Sequence, residues 1–126
     1  MSEQPERTRR YDSGRLGAYG EDRAQRWYLE RGYDLLDRNW RHPDGELDLV
    51  LAIDEPGGRA VVFCEVKTRS TGRFGAPYEA VGRDKQRRLR RLALQWLAAH
   101  DLRAARLRFD VASVTSGRIE VLLDAF

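Results

Sequence analysis

The sequence is poor in cysteine and histidine, the residues that build cross-links and soft metal sites. It contains one cysteine, Cys64, and two histidines among 126 residues. A single cysteine cannot close an intrachain disulfide, and it excludes metal or redox sites of the CxxC type. This usage is typical of proteins that work in a reducing compartment, and we expect a cytoplasmic location.

Long apolar segments are also missing. No apolar run reaches the roughly 20 residues that span a bilayer, and the opening segment MSEQPERTRR lacks the apolar block of a signal peptide. We therefore expect no membrane partner. A chain of 126 residues can bury one core without disulfides. Composition predicts a flexible, polar and basic tail over residues 1–13 and a single domain over residues 14–126.

Lysine is scarce among the basic residues. Lys67 and Lys85 are the two lysines in a total of 23 Lys and Arg, against 20 Asp and Glu, and the net charge is +3. Positive charge is concentrated in residues 83–91, RDKQRRLRR, which hold six basic side chains and one acid. Such a run is typical of a solvated helix face and also of a surface that binds phosphates, and both interpretations stay open at this point.

Hydrophobic periodicity and turn residues predict two helices and five strands. In chain order we expect a helix from Ser13–Arg15 to Arg31, strands over 33–41, 45–53 and 59–68, a helix from about Tyr78 to His100, and strands over 106–114 and 118–126. The resulting fold class is α/β, with a mixed five-stranded sheet flanked by helices in the order α-β-β-β-α-β-β. The first three strands should form an antiparallel meander, and the two strands that flank the second helix can run parallel.

Two of the predicted strands carry charged residues inside apolar runs. Glu46 and Asp48 lie in GELDLVL, and Glu65 and Lys67 lie in VVFCEVKTR. Because side chains alternate between the faces of a strand, each of these pairs shares one face of its own strand. If the two strands pair through the short DEPGG turn, Asp48 and Glu65 stand side by side.

A third acid, Glu21, lies in the first helix beside two glycines that we expect to pack closely. The carboxylates of Glu21, Asp48 and Glu65, set against the ammonium of Lys67, leave about two negative charges without compensation. Two like charges about 4 to 5 Å apart repel by roughly 3 to 4 kcal/mol at an effective dielectric near 20. A divalent cation removes this deficit, and ligands that are all oxygen favour Mg²⁺ or Mn²⁺ over Zn²⁺. The alternative is an ion pair between Glu65 and Lys67 at a strand end, with Asp48 exposed and no metal.

Two further acids are weaker candidates for the same site. Glu46 can face solvent or support the ligands from outside, and Asp110, in RFDV, has the pattern of an acid at a strand end. Neither is needed for the charge argument that favours a cation.

An ordered series of motifs resembles the YraN family of small bacterial proteins. The motifs are GAYGEDRAQRWYLERGYDLLDRNWR, GELDLV, FCEVKTR, FGAPYEAV, KQRRLRRLA, RFDV and DAF. The pair GELDLV and FCEVKTR also resembles the active-site signature of the PD-(D/E)XK, or restriction-endonuclease-like, superfamily, and the chain is similar to archaeal Holliday-junction resolvases. Leu47 stands where the superfamily name has proline.

The resemblance implies a restriction-endonuclease-like fold and a metal-dependent endonuclease. It implies that Asp48 and Glu65 are metal ligands, that Lys67 is the catalytic lysine, and that Glu21 is a helix-one acid near the metal. The expected cofactor is Mg²⁺ or Mn²⁺.

The resulting hypothesis is metal-dependent hydrolysis of phosphodiester bonds in nucleic acid, with DNA, including branched DNA, as the expected partner. The residues expected to bind phosphates flanking the site are Arg69, Lys85, Gln86, Arg87, Arg88 and Arg91. Two alternatives stay open: a nucleic-acid-binding module with a nuclease fold but no catalysis, and an accessory protein whose basic helix binds an acidic protein. Because one such site cuts one strand at a time, we also expect a weak homodimer, or a monomer that pairs on its substrate.

Overall fold

A computed structural model describes residues 4–69 and 81–126, with side chains from Leu16 onward. It contains two helices and five strands within these residues: α1 (Gln4–Glu30), β1 (Asp34–His42), β2 (Gly45–Glu55), β3 (Gly58–Thr68), α2 (Arg83–Ala99), β4 (Arg106–Thr115) and β5 (Arg118–Leu122). This order confirms the predicted α/β class and the succession α-β-β-β-α-β-β.

The strands form one mixed sheet in the order β1-β2-β3-β4-β5. The pairs β1–β2, β2–β3 and β4–β5 are antiparallel, whereas β3 and β4 are parallel. The parallel pair is possible because the connection through α2 carries the chain back to the end of the sheet where β3 began. Both the predicted meander and the predicted parallel pair are therefore confirmed.

The first helix begins earlier than the sequence predicted. Its backbone is helical from Gln4, not from Ser13–Arg15. The early segment QPERTRR contains good helix formers, and Pro5 lies in the first turn, where a missing backbone N–H is tolerated. The division of the chain into a flexible tail over residues 1–13 and a domain over 14–126 stays a prediction.

Two other boundaries also differ from expectation. The second helix begins at Arg83 because Gly82 has extended backbone (φ −75°, ψ 172°); the predicted start at Tyr78 lies outside the described residues. The last strand ends at Leu122, and Asp124 then takes a positive φ of 54°. The chain turns back at this point, and the N–H of Ala125 donates to the carbonyl of Phe109 at 2.6 Å.

Each face of the sheet carries its own apolar core. On the α2 side the buried residues include Val50, Phe63 and Trp96. On the α1 side they include Tyr28 and Leu49. Fully burying one large apolar side chain stabilises the fold by about 1.5 to 3 kcal/mol, so both helices are fixed to the sheet by packing.

One glycine sets how closely α1 approaches β3. A Cβ atom added at Gly20 would lie 2.9 Å from Cβ of Thr68, whereas one added at Gly17 would have no described atom within 4 Å. The close packing expected at both glycines therefore holds at Gly20 alone. Because Glu21 follows Gly20, this contact also places the Glu21 carboxylate at the end of the sheet.

We predict opposite effects of alanine at the two glycines. Gly20→Ala should lower the free energy of unfolding by about 1 to 3 kcal/mol, because the new methyl group overlaps Thr68. Gly17→Ala should raise it by up to about 1 kcal/mol, because alanine favours the helix and has room. Urea unfolding of the two variants checks this, and equal changes in both would contradict the proposed packing of α1 on β3.

Candidate active site

Three carboxylates meet at one end of the sheet. Single carboxylate oxygens of Glu21, Glu46 and Asp48 all lie within 4.8 Å of one another. One comes from α1 and two come from β2, so residues distant in sequence form the cluster. We call these three residues the acid cluster. Of its members, Glu21 and Asp48 are predicted site residues, whereas Glu46 is a weaker candidate.

The acid cluster lies where the regular alternation of β2 fails. Leu49 packs in the core on the α1 side, yet Leu47, two residues away, packs with Val50 on the α2 side. A regular strand would place Leu47 and Leu49 on the same face. Regular alternation therefore fails at Asp48, the residue between the two leucines, although oxygens of Glu46 and Asp48 still lie within 4.8 Å of each other.

The matching irregularity in β1 is Asn39. Its neighbours Arg38 and Trp40 pair with Leu49 and Leu47, so Asn39 lies opposite Asp48 in the ladder. Asn39 has a positive φ of 55°, a conformation that asparagine adopts more readily than most residues. Both strands thus turn their side chains at the same rung, and this rung carries Asp48.

Asn39 also holds Glu21. Its side-chain amide donates to Oε1 of Glu21 at 3.0 Å, and Nη2 of Arg38 lies 3.4 Å from the same oxygen. The Glu21 side chain is 15% exposed, so these donors fix one orientation. Sequence reasoning missed Asn39, for which the residue type alone is a signal, because asparagine tolerates a positive φ better than most residues.

Asp48 and Glu65 lie side by side on neighbouring strands. Leu49 pairs with Cys64 in the β2–β3 ladder, and Asp48 and Glu65 are the next residues beyond this pair. Oδ2 of Asp48 accepts a hydrogen bond from the N–H of Val66 at 2.8 Å. Burial, reinforced by the nearby charge of Glu65, raises the pKa of Asp48 to about 8.

Two lysines neutralise Glu65. The side chain of Glu65 is 7% exposed, its Oε2 lies 3.7 Å from Nζ of Lys67, and the same oxygen contacts Nζ of Lys85. The ion pair of the metal-free alternative is therefore present. Asp48, however, is half-buried rather than exposed as that alternative required.

The two lysines respond differently to their surroundings. Burial lowers the pKa of Lys67, and the neighbouring Lys85 acts in the same direction. Burial also acts to lower the pKa of Lys85, but the hydrogen bond to Glu65 and the other nearby groups together outweigh burial and raise it. Lys85 is therefore protonated at neutral pH and forms a stable ion pair with Glu65.

Two clefts adjoin the acid cluster. One has a volume of about 240 Å³, and its lining includes Asp48, Glu65, Lys85 and Arg88. The other has a volume of about 290 Å³ and is lined in part by Glu21, Asn39 and Arg41. Acidic and basic groups thus lie side by side in both clefts.

The residues predicted to bind phosphates are spread over a wider surface. Lys85 and Arg88 line the first of these clefts, as described above. Arg87 and Arg91 are exposed on α2, with Arg87 3.0 Å from Asp84, and Arg69 is exposed just after β3. Gln86 is half-buried and donates to the carbonyl of Val81 at 3.1 Å, so its amide already has a structural partner.

Asp110 is not an acid at a strand end, and that expectation is wrong. It is fully buried within β4, where Arg108 contacts both of its oxygens at 2.9 and 2.8 Å. The hydroxyl of Tyr28 donates to it at 2.6 Å, and the N–H of Asp124 donates at 2.9 Å. Burial raises the pKa of Tyr28, which keeps the hydroxyl a donor. Asp110 is therefore a structural residue of the core.

Most of the chain matches one known protein family. Residues 20–114 match the uncharacterised protein family UPF0102. The chain belongs to this family. The match confirms the resemblance to the YraN family, whereas the wider relationship to restriction endonucleases stays a prediction.

Members of the UPF0102 family from several bacteria are closely similar to this chain. A UPF0102 protein of Beutenbergia cavernae is 53% identical over 103 residues, which cover 82% of this chain and 84% of the relative. One of Rhodococcus opacus is 46% identical over 116 residues, 88% of this chain and 95% of the relative. One of Mycobacterium sp. (strain KMS) is 52% identical over 103 residues, which cover 82% of this chain and 75% of the relative.

Neither helix that the structure describes is long and apolar enough to cross a membrane.

We predict that Asp48 makes the stability of this UPF0102 protein fall as pH rises. Its folded-state pKa of about 8 lies above the unfolded value of about 3.9, so between these values the folded state binds more protons than the unfolded state. Linkage then requires the free energy of unfolding to decrease across this window.

Urea unfolding in EDTA from pH 5 to pH 8 checks this. Asp48→Asn keeps an acceptor for Val66 but cannot ionise, so its advantage over wild type should grow steadily with pH. Asp84→Asn removes an exposed carboxylate from α2 and serves as the control, which should follow the wild-type profile. A constant difference between Asp48→Asn and wild type would contradict the prediction.

Proposed function

We propose that this UPF0102 protein is a metal-dependent nuclease that hydrolyses phosphodiester bonds in DNA. One observation carries the proposal: the acid cluster adjoins a cleft that is also lined by Lys85 and Arg88 of the basic helix α2. Carboxylates suit a divalent cation, and the adjoining basic groups suit the phosphates on which such a cation acts.

The donor set fits Mg²⁺ or Mn²⁺. Asp48, Glu21 and Glu46 offer oxygen atoms within 4.8 Å of one another, and Glu65 adjoins Asp48 on the next strand. Hard cations prefer such ligands, whereas zinc sites usually include His or Cys. The chemistry that the cation supplies when bound is charge stabilisation at the phosphate and a lower pKa for an attacking water.

Lys67 is proposed to stabilise charge in the transition state. It lies two residues from Glu65 on the same strand, with its side chain 29% exposed and 3.7 Å from the Glu65 carboxylate. A compact ammonium on a stiff strand can donate hydrogen bonds to a water or to a phosphate oxygen. Burial, which lowers its pKa, also makes transfer of a proton easier.

The basic surface of α2 is proposed to hold the nucleic acid. Arg88 lines the same cleft as Asp48, and Arg87 and Arg91 extend the positive charge along the helix. Arg69, after β3, would add a further phosphate-binding side chain. Side chains of this type bind phosphates irrespective of base sequence.

We predict that cleavage requires the acids and Lys67, and that loss of Lys67 impairs cleavage much more than it impairs DNA binding. Asp48→Ala combined with Glu65→Ala should abolish both Mn²⁺ binding and cleavage, because the ligands are removed. Lys67→Ala should lower cleavage at least about a hundredfold, the scale of one oriented donor, while affinity for DNA changes only a few-fold. Labelled linear and four-way DNA, and RNA, are assayed with Mg²⁺, Mn²⁺ or EDTA.

The outcomes of that assay also separate the three classes of function. Binding of nucleic acid without metal-dependent cleavage by wild type would select the binding module. The absence of any nucleic-acid binding would select the accessory protein. Asp84→Ala, on the exposed side of α2, controls for removal of a carboxylate and should cleave as wild type does.

A further prediction concerns how α2 binds DNA. Replacing Arg87, Arg88 and Arg91 by alanine should flatten the dependence of log affinity on log salt by roughly 0.9 for each phosphate that the variant no longer binds. The matched control replaces Arg59, Arg106 and Arg118, which pair with acids elsewhere on the sheet. It removes the same charge and should leave the slope near wild type. Equal salt-dependence slopes for both triple variants would show that the basic residues of α2 form a solvated surface and do not bind DNA.

A further inference from the structure

Both lysines of this chain meet at one carboxylate. Lysine occupies two of 23 basic positions, and Lys67 on β3 and Lys85 on α2 both contact Oε2 of Glu65. The other ion pairs between described residues use arginine or histidine. The choice of lysine is therefore specific to this site.

The difference between the two basic side chains suggests why lysine is used. A guanidinium binds a carboxylate through a planar fork and tends to stay bound, as Arg108 does on Asp110. An ammonium is a compact charge on a flexible four-carbon stem. It can neutralise a carboxylate and then leave it without rearranging the backbone.

Glu65 depends on nearby cations because its carboxylate is buried. Its side chain is 7% exposed, so water cannot solvate the charge, and an unpaired buried carboxylate is strongly unfavourable. Two ammonium groups and a divalent cation around one carboxylate would in turn repel one another. Oε2 of Glu65 already faces both ammonium groups, so a divalent cation that uses this oxygen would lie beside them, and exchange with one lysine relieves that repulsion.

Lys85 is the lysine that has open space beside it. Its side chain lines the 240 Å³ cleft together with Asp48, Glu65 and Arg88, and it is 33% exposed. Lys67 lies on the same strand as Glu65, with its ammonium 3.7 Å from that carboxylate, and it does not line this cleft. Lys85 instead reaches Glu65 from the first turn of α2.

We propose that Lys85 and a divalent cation are alternative partners of Glu65. Lys85 neutralises the carboxylate until the cation binds, and it then turns away from Glu65 into the cleft. Lys85 is thus a positioning residue that keeps Glu65 ready for the metal. This inference rests on the proposed function, because it requires a cation at the acid cluster.

The test measures Mn²⁺ affinity by isothermal titration and thermal unfolding in EDTA and in saturating Mn²⁺. Lys85→Met should bind Mn²⁺ about tenfold more tightly, because a competing charge-assisted contact is removed. It should also unfold at a lower temperature than wild type in EDTA, and this difference should disappear in Mn²⁺. Arg83→Met removes one positive charge from the same turn of α2 and should change neither quantity. Lys85→Arg retains the charge and should bind Mn²⁺ no more tightly than wild type.

Three results would overturn the inference, and they are distinguishable. If Lys85→Met binds Mn²⁺ no more tightly than wild type and is destabilised equally with and without the ion, Lys85 is a fixed tether between α2 and the sheet. If Glu65→Gln weakens Mn²⁺ binding but Lys85→Met does not strengthen it, this inference fails and the proposed metal site stands. If wild type and Glu65→Gln both fail to bind Mn²⁺, the metal site and this inference fail together.

Discussion

Carboxylates withdrawn from water at the end of an apolar sheet need cations nearby, and the two lysines on Glu65 supply positive charge at this site. Asp48 and Glu65 lie on neighbouring strands, where regular burial would place apolar residues. The parallel crossover from β3 to β4 carries α2 across one face and brings Lys85 to Glu65. On the other side, the absence of a side chain at Gly20 lets α1 approach β3 and bring Glu21 to Asp48. Helix placement and site chemistry therefore depend on the same contacts.

Asp110 and Asp48 show how an acid in an apolar strand can have two different roles. Asp110 receives two contacts from Arg108, a hydroxyl from Tyr28 and the N–H of Asp124. With these donors its charge is satisfied within the protein, and the network fixes α1 to β4. Asp48 accepts from one backbone N–H and has other carboxylates beside it. Surplus negative charge, and not the presence of an acid in a strand, is what distinguishes the candidate site.

Hydrophobic periodicity and turn residues were enough to predict several features from the sequence. These features are the order of elements, the antiparallel meander, the parallel strand pair and the proximity of Asp48 to Glu65. The break in alternation at Asn39 could not be predicted in this way, since a single left-handed residue leaves the apolar pattern of both strands almost unchanged. The contact between Lys85 and Glu65 was also beyond sequence reasoning. That contact depends on the rotation of α2 against the sheet, which packing in three dimensions decides.

The surroundings of the acid cluster suit the proposed substrate, an extended polyanion, better than a small phosphate ester. Because the three carboxylates lie within 4.8 Å of one another, the cleft lined by Asp48 and the cleft lined by Glu21 adjoin at the cluster. Arginine lines both: Arg88 in the first, and Arg41 in the second, where its side chain is 83% exposed. A compact ligand would need positive charge on one side of the acids. A polymer with phosphates at regular intervals can use it on both, which suits the nuclease proposed above better than an enzyme that acts on small phosphate esters.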